Sequence, residues 1–93
     1  MAIEHKLKTL AVYYDAVARG DKTFEVRRND RAFQKGDILV LEKWKDETYR
    51  DFSNASMRFR ITYLLQGGQF GIEPGFCILG ITPDVTEPTK GGE

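Results

Sequence analysis

The sequence predicts a small α+β domain, built as a mixed β-barrel of about five strands with one main N-terminal helix. Apolar and polar residues alternate with period two in several short segments, which is typical of strands, and one early segment has helical spacing instead. Strands and helices do not alternate along the chain as they do in parallel α/β folds. A length of 93 residues allows one modest core and is too short for two.

The first two elements are predicted between residues 3 and 20. Residues 3–8 alternate as a strand, which places His5 on the inward face. A short amphipathic helix follows, because four large side chains recur at helical spacing: Leu10, Tyr13, Tyr14 and Val17. Thr9 is expected to cap the start of this helix, and Gly20 to end it.

From residue 22, apolar and polar residues alternate again, which predicts a second strand. This strand carries the most informative polar residues. Phe24 and Val26 share one face, while Glu25 and Arg27 share the other with Thr23. Lys22 stands at the junction of helix and strand, from which its side chain can turn toward Glu25.

Three further strands complete the prediction. Residues 38–41 are entirely apolar, which favours a central strand that is buried on both faces. Residues 57–65 alternate, with one face formed by Phe59, Ile61, Tyr63 and Leu65. The last strand is predicted at 76–82. Tyr13, Tyr14, Trp44 and Tyr63 are interpreted as packing residues of the core or its edge.

Two segments fall outside this pattern. Residues 43–56 are polar and irregular, which indicates a long excursion or a hairpin tip. Residues 83–93 mix Pro, Thr, Gly and charged residues, as in a disordered tail. We therefore predict a single domain over residues 1–82, followed by that tail.

Composition limits the classes of function. Fourteen Lys and Arg balance fourteen Asp and Glu, so affinity for a polyanion has to come from a local patch. The single cysteine, Cys77, predicts a buried reduced thiol, and the single histidine gives no histidine-based metal site. No signal peptide or membrane-length apolar run is present. We expect a cytoplasmic monomer without a metal or cofactor.

Several motifs resemble a known family. Gly20-Asp21-Lys22-Thr23-Phe24-Glu25-Val26-Arg27 is similar to the Gly-x-Lys-x-x-Glu-x-Arg signature of ASCH domains, relatives of the PUA RNA-binding fold. The segments 5–8, 27–31, 35–39 and 67–75 extend the resemblance to a bacterial and phage-associated subfamily, over roughly residues 4–82. It implies a small PUA-like barrel with its helix near the signature motif.

Lys22, Glu25 and Arg27 form the leading candidate site. An ammonium and a guanidinium oriented by a carboxylate can hold a phosphate or the edge of a base. The alternative interpretation is an exposed ion-pair cluster of little energetic consequence. A basic run joins Arg27, Arg28, Arg31 and Lys35, and Arg58 with Arg60 adds two cations on another strand, although solvated surface charge is the commoner meaning.

The glycine-containing segment 67–75 is predicted to be a lid. It lacks the lysine of a nucleoside-triphosphate loop, but Gln69, Phe70 and Glu73 could touch a ligand, with Phe70 stacking on a base. A plain connection between two strands is the alternative. The predicted ligand-binding set also includes His5 and Asn29, although an inward histidine is more often a hydrogen-bonded core residue.

These residues lead to a predicted partner, an RNA, nucleotide or nucleoside, bound by a PUA-like domain. Among ASCH relatives are an amidohydrolase acting on N-acetylated cytidine and a ribonuclease acting on single-stranded RNA. A hydrolase is therefore an alternative, with Lys22 as base or nucleophile and Glu73 or Glu25 as its carboxylate partner. Glu25 stands where the amidohydrolases have a threonine, so their triad is not reproduced. A protein-interaction domain is a third alternative.

Overall fold

A computed structural model describes residues 2–44 and 55–84. The elements are β1 (Glu4–Leu10), α1 (Ala11–Ala18), β2 (Phe24–Arg28), β3 (Ile38–Trp44), β4 (Ser56–Gln66) and β5 (Phe76–Pro83). The strands form one five-stranded sheet that curls into a half-barrel, and α1 packs against β1 and β3. The predicted α+β class, with five strands and one helix, is confirmed.

The strand order is β1-β3-β4-β5-β2, which leaves β1 and β2 at the two ends of the sheet. β1 runs parallel to β3, and the other three pairs are antiparallel. β3 lies inside the sheet, as its apolar run predicts. We call the gap between the outer edges of β1 and β2 the seam, because it is where the half-barrel remains open.

The core fills the concave face of the sheet. Its five largest fully buried side chains are Leu39, Leu41, Ile61, Leu79 and Cys77. The prediction of a buried thiol is confirmed, and burial raises the pKa of Cys77. A thiol held in its protonated form by apolar surroundings is a poor nucleophile.

The helix matches its prediction in position but not in its cap. Tyr14 and Val17 are buried, whereas Tyr13 is 51% exposed and is not a core residue. The residue at the N-cap is Leu10, without a side-chain cap, so the prediction of a Thr9 cap is wrong. Thr9 is instead a buried residue of β1. Gly20 follows the helix at φ +86°, as expected of a terminating glycine.

A bulge in β4 changes which side chains face the core. Pairing with β5 shifts between Ile61 and Tyr63, and beyond that point Leu64 packs against the core. Tyr63 is 64% exposed, so its assignment to the core is wrong. An extra residue in a strand reverses the alternation that follows it.

His5 faces inward, as predicted, and pairs with Asp37 in the turn before β3. The Nε2–Oδ2 distance is 2.9 Å, and both side chains are buried. Asp37 also accepts hydrogen bonds from the backbone N–H groups of Ile3 and Gln34. Burial by itself raises the pKa of Asp37, but these hydrogen bonds and the nearby imidazole outweigh it and lower the pKa below its usual value. The pair ties β1 to the turn.

Two sequence predictions lie largely outside the described residues. The excursion predicted at 43–56 falls mainly on 45–54, and the predicted tail falls mainly on 85–93. Within the described ranges, no helix has the length and apolar character needed to cross a membrane.

Gly67 stands where the chain leaves β4, at a position with no room for a side chain. A Cβ there would lie 2.1 Å from the carbonyl oxygen of Glu73 and 2.5 Å from that of Phe76. Since both neighbours are backbone atoms, Gly67→Ala is expected to lower the free energy of unfolding by about 3 kcal/mol. Urea denaturation followed by circular dichroism measures this change.

Gly68→Ala is the matched control for this prediction. Gly68 has a positive φ of +87° but open space around it, so the substitution incurs backbone strain of only about 1 kcal/mol. Equal stabilities for the two variants would contradict the steric argument.

Candidate functional site

The polar face of β2 points into the half-barrel. Glu25 is paired with Leu79 of β5, and Arg27 with Cys77, both of which are fully buried. Glu25 is only 3% exposed, while Phe24 and Val26 on the other face are 43% and 52% exposed. The interpretation as a solvated ion pair therefore does not fit Glu25.

Glu25 holds two cations at once. Its Oε2 accepts a hydrogen bond from Lys22 Nζ at 2.8 Å, and its Oε1 accepts one from Arg27 Nε at 3.1 Å. Lys22 Nζ also donates to the carbonyl oxygen of Phe24 at 2.7 Å. The three side chains predicted to cluster are thus in direct contact, and two cations with one carboxylate give a net charge of one positive unit.

Arg27 also spans the seam. Its Nη2 donates to Thr9 Oγ1 at 3.0 Å, and its Nη1 donates to the carbonyl oxygen of Lys8 at 3.3 Å. Arg31 donates from Nη1 to the carbonyl oxygen of Lys6 at 3.2 Å. These carbonyls lie on the edge of β1 opposite β3, where none of the described strands pairs with it. Arginine side chains therefore join the two ends of the sheet. Among the described residues, no backbone hydrogen bonds pair β1 with β2.

A small crevice opens beside these arginines. Its volume is about 150 Å³, and its lining residues are Leu7, Arg27, Arg28, Asp30, Arg31 and Phe33. Cavities that enclose whole small molecules usually measure about 300–1,000 Å³. The crevice has room for an anionic group such as a phosphate. Arg27 is already paired with Glu25, and Arg28 lies over Phe76 on the other face, so Arg31 is the arginine best placed to meet such a group.

Two exposed aromatic rings flank the ammonium of Lys22. The Nζ lies 5.6 Å from the ring centroid of Tyr13 and 5.0 Å from that of Phe24. The Lys22 side chain is 19% exposed, so the ammonium is fixed by Glu25 yet remains open to solvent. Aromatic faces beside a fixed cation form a surface that suits a nucleobase and its phosphate.

Residues 4–81 match the family described as Domain of unknown function (DUF3850). The chain belongs to the DUF3850 family. A protein of Escherichia phage P2, described as the uncharacterized 12.9 kDa protein in the GpA 3′ region, is 37% identical over 62 residues. The match covers 67% of this chain and 54% of the phage protein, so it spans about half the length of that relative. The predicted likeness to a phage protein is confirmed.

The other predicted ligand-binding residues of this DUF3850 domain have structural contacts. His5 is engaged with Asp37, in keeping with a core histidine. Asn29 donates its backbone N–H to Gly75 and its side-chain amide to Gln66, and its Oδ1 accepts from the N–H of Phe33. Asn29 thus anchors the segment after β2.

The glycine loop of the DUF3850 domain lies away from the Lys22 cluster. Gly71, Ile72 and Glu73 line a cavity of about 370 Å³ together with Val26, Phe76 and Ile78. Because Val26 and Glu25 are adjacent in a strand, their side chains point to opposite faces. The structure therefore groups Glu73 with the convex face of the sheet and does not bring it to Lys22.

Phe70 and Gln69 lie at the tip of this loop. Phe70 is 83% exposed and adopts a positive φ of +55°, which is uncommon for an aromatic residue. Gln69 donates its side-chain amide to the carbonyl oxygen of Gln66 at the end of β4. The loop is thus a hairpin connection that exposes one aromatic ring.

Sequence reasoning missed two residues of the site, Thr9 and Tyr13. The alternation through His5 and Leu7 continues to Thr9, so the inward orientation of its hydroxyl could have been predicted. Arg58 and Arg60 were expected to extend the basic patch. They form ion pairs with Glu4 and Asp84 instead, which reduces the charge that they offer.

Proposed function

We propose that this DUF3850 domain is a PUA-like domain of the ASCH type that binds a short RNA or a modified nucleoside at the seam. The observation that carries the proposal is the buried Glu25 carboxylate between Lys22 and Arg27. A carboxylate in this position fixes two cations before a ligand arrives, which reduces the entropy lost on binding.

In the proposed complex, a phosphate enters the arginine crevice while Lys22 meets a second anionic or polar group. Arginine suits the first role because its planar fork of donors matches two phosphate oxygens. The exposed rings of Tyr13 and Phe24 offer stacking surface beside Lys22. Because the charges of the whole chain balance, this local patch favours a short ligand over a long duplex.

The geometry gives less support to the hydrolase alternative. The Lys22 ammonium donates to Glu25 and to the carbonyl oxygen of Phe24, whereas a catalytic base or nucleophile needs a free lone pair. The second carboxylate suggested for this chemistry, Glu73, lines the cavity on the convex face. Binding without turnover is the function that these contacts favour.

The proposed function predicts that Lys22→Ala weakens binding of a fluorescein-labelled single-stranded RNA about tenfold. One lost phosphate contact also reduces the slope of log affinity against log salt by about 0.7 for a single strand. Fluorescence anisotropy at several salt concentrations measures both quantities.

Arg19→Ala is the matched control, since this side chain is 61% exposed and pairs only with Asp21 among the contacts described. Equal affinities for the two variants would remove Lys22 from the site. Cleavage of the RNA, or deacetylation of N-acetylated cytidine in parallel reactions read by chromatography, would support the hydrolase instead.

A further inference from the structure

The convex face of the sheet carries a row of residues of which only Phe24, beside Lys22, also borders the seam. Gly80 of β5 is paired with Phe24 of β2 on one side and with Tyr63 of β4 on the other. Phe24 is 43% exposed and Tyr63 is 64% exposed. Two aromatic side chains therefore flank a glycine, and all three lie in one line across the sheet.

Gly80 places no side chain between the two rings. A Cβ on Gly80 would lie 3.5 Å from Tyr63 Cβ and 3.4 Å from Thr62 Oγ1, so the missing side chain would occupy the same face as Tyr63. Neighbouring strands are spaced about 4.8 Å apart, which puts the Cα atoms of Phe24 and Tyr63 about 10 Å apart. A flat ring held between two others needs about 7 Å between the outer ring planes, so the two side chains have to lean toward each other to hold a base.

The bulge in β4 produces this arrangement. It brings Tyr63 to the outer face when the alternation through Phe59 and Ile61 would place it inside. It also keeps the Thr62 hydroxyl beside Gly80, where it can exchange hydrogen bonds with the edge of a bound ring. Bulges commonly redirect side chains in this way at functional positions.

We propose that Phe24, Gly80 and Tyr63 form a slot that sandwiches one nucleobase of a single-stranded nucleic acid. This slot lies on the face opposite Glu25 and Arg27, so it is a second binding position that meets the seam only at Phe24. The inference rests on the proposed function only in taking a nucleic acid as the ligand.

Charge favours a nucleic acid over a second copy of the chain as the occupant. Lys22 Nζ is 5.0 Å from the Phe24 ring, and Arg28 lies 4.7 Å over the ring of Phe76 on the same convex face. Each cation stands next to an aromatic surface, which matches the alternation of base and phosphate in a single strand. One strand passing over the Phe24 edge can therefore reach both the slot and the Lys22 ammonium.

The apolar cavity on the convex face extends the same surface. It includes Val26 and Ile78, which are paired in the sheet two residues along from Phe24 and Gly80. A base following the one in the slot would contact this cavity. Glu73 also lines this cavity, and its negative charge would repel a phosphate backbone that extended past it.

The test compares binding of fluorescein-labelled hexa-adenylate RNA and of AMP to the full chain and three variants. Tyr63→Ala removes one wall of the slot and is expected to weaken RNA binding about 5- to 100-fold, whereas Tyr63→Phe should retain it. Gly80→Val fills the floor and is expected to weaken binding by a similar factor. The added Cβ meets no atom closer than 3.4 Å and valine favours strands, and a thermal melt checks that Gly80→Val is folded before its affinity is compared.

Each outcome has a definite meaning. Loss of RNA affinity in Tyr63→Ala and folded Gly80→Val supports the slot, and a parallel loss for AMP would show that a free nucleotide also enters it. Wild-type affinity in Gly80→Val overturns the slot, even if Lys22→Ala weakens binding and so supports the seam. Weakened binding by Gly80→Val together with wild-type affinity in Lys22→Ala keeps the slot and removes the seam.

Two further outcomes overturn the slot. Self-association that these variants abolish in sedimentation experiments favours a dimer interface instead, and absence of RNA binding by the wild type overturns both sites.

Discussion

Glu25→Gln is expected to lower the free energy of unfolding by about 2–4 kcal/mol and to weaken binding at the seam, because Lys22 and Arg27 are no longer held in place. The carboxylate is buried and accepts hydrogen bonds from Lys22 and Arg27, so the neutral amide leaves two cations without their counter-charge. Removing one member of a buried ion pair commonly costs about 3–5 kcal/mol, and the partial exposure of both cations reduces that figure. Urea denaturation followed by circular dichroism measures the change.

Asp21→Asn provides the control for Glu25→Gln. Asp21 also pairs with an arginine, but its side chain is 67% exposed and that of Arg19 is 61% exposed. Exposed pairs contribute little, so the control should unfold close to the wild-type midpoint. Similar midpoints for the two variants would contradict the view that Glu25 holds the seam together.

Asp37→Asn is expected to destabilise the fold by about 3 kcal/mol at neutral pH. The Asp37 carboxylate accepts hydrogen bonds from His5 and from the N–H groups of Ile3 and Gln34. The amide presents a donor where these groups need acceptors, and buried donors left unsatisfied are costly. Thermal unfolding at pH 7 measures the effect, with Asp30→Asn as control because that side chain is 61% exposed.

The Asp37 carboxylate should also make the stability of the fold depend on pH in the acidic range. The pKa of Asp37 in the folded protein lies below its ordinary value, so the folded state stabilises the ionised form. This contribution is fully present above the unfolded pKa of about 4 and is lost as the pH falls through the lower folded pKa. The stability difference between wild type and Asp37→Asn should therefore shrink below about pH 4. A difference that stays constant down to pH 2 would contradict this assignment.

Much of the site could be predicted from local pattern. Period two in β2 correctly put Glu25 and Arg27 on one face, and the position of Lys22 before the strand allowed it to reach Glu25. Alternation does not reveal which face of a strand is buried, because that depends on the strands packed around it. In β2 the polar face is inside and the apolar face is half exposed, which only the pairing with β5 determines.

The remaining differences arise from contacts between distant parts of the chain. Arg27 meets Thr9 across the seam, 18 residues away, and no local signal specifies that distance. The bulge near Tyr63 inserts one residue into β4 and reverses the orientation read from a regular strand. Glu73 lines the same cavity as Val26, and this position depends on how the hairpin connection turns back over the sheet. Each is a property of three-dimensional packing and not of residue spacing.

Chemical-shift mapping tests the central claim most directly, namely that Glu25 fixes Lys22 and Arg27 as a nucleic-acid site at the seam. Titration of ¹⁵N-labelled protein with a short single-stranded RNA should shift the backbone amides of residues 22–28, which include β2, and of residues 6–9 in β1. In Glu25→Gln these shifts should need a higher RNA concentration. Shifts confined to other parts of the sheet, or seam shifts of unchanged affinity in a folded Glu25→Gln variant, would contradict the claim.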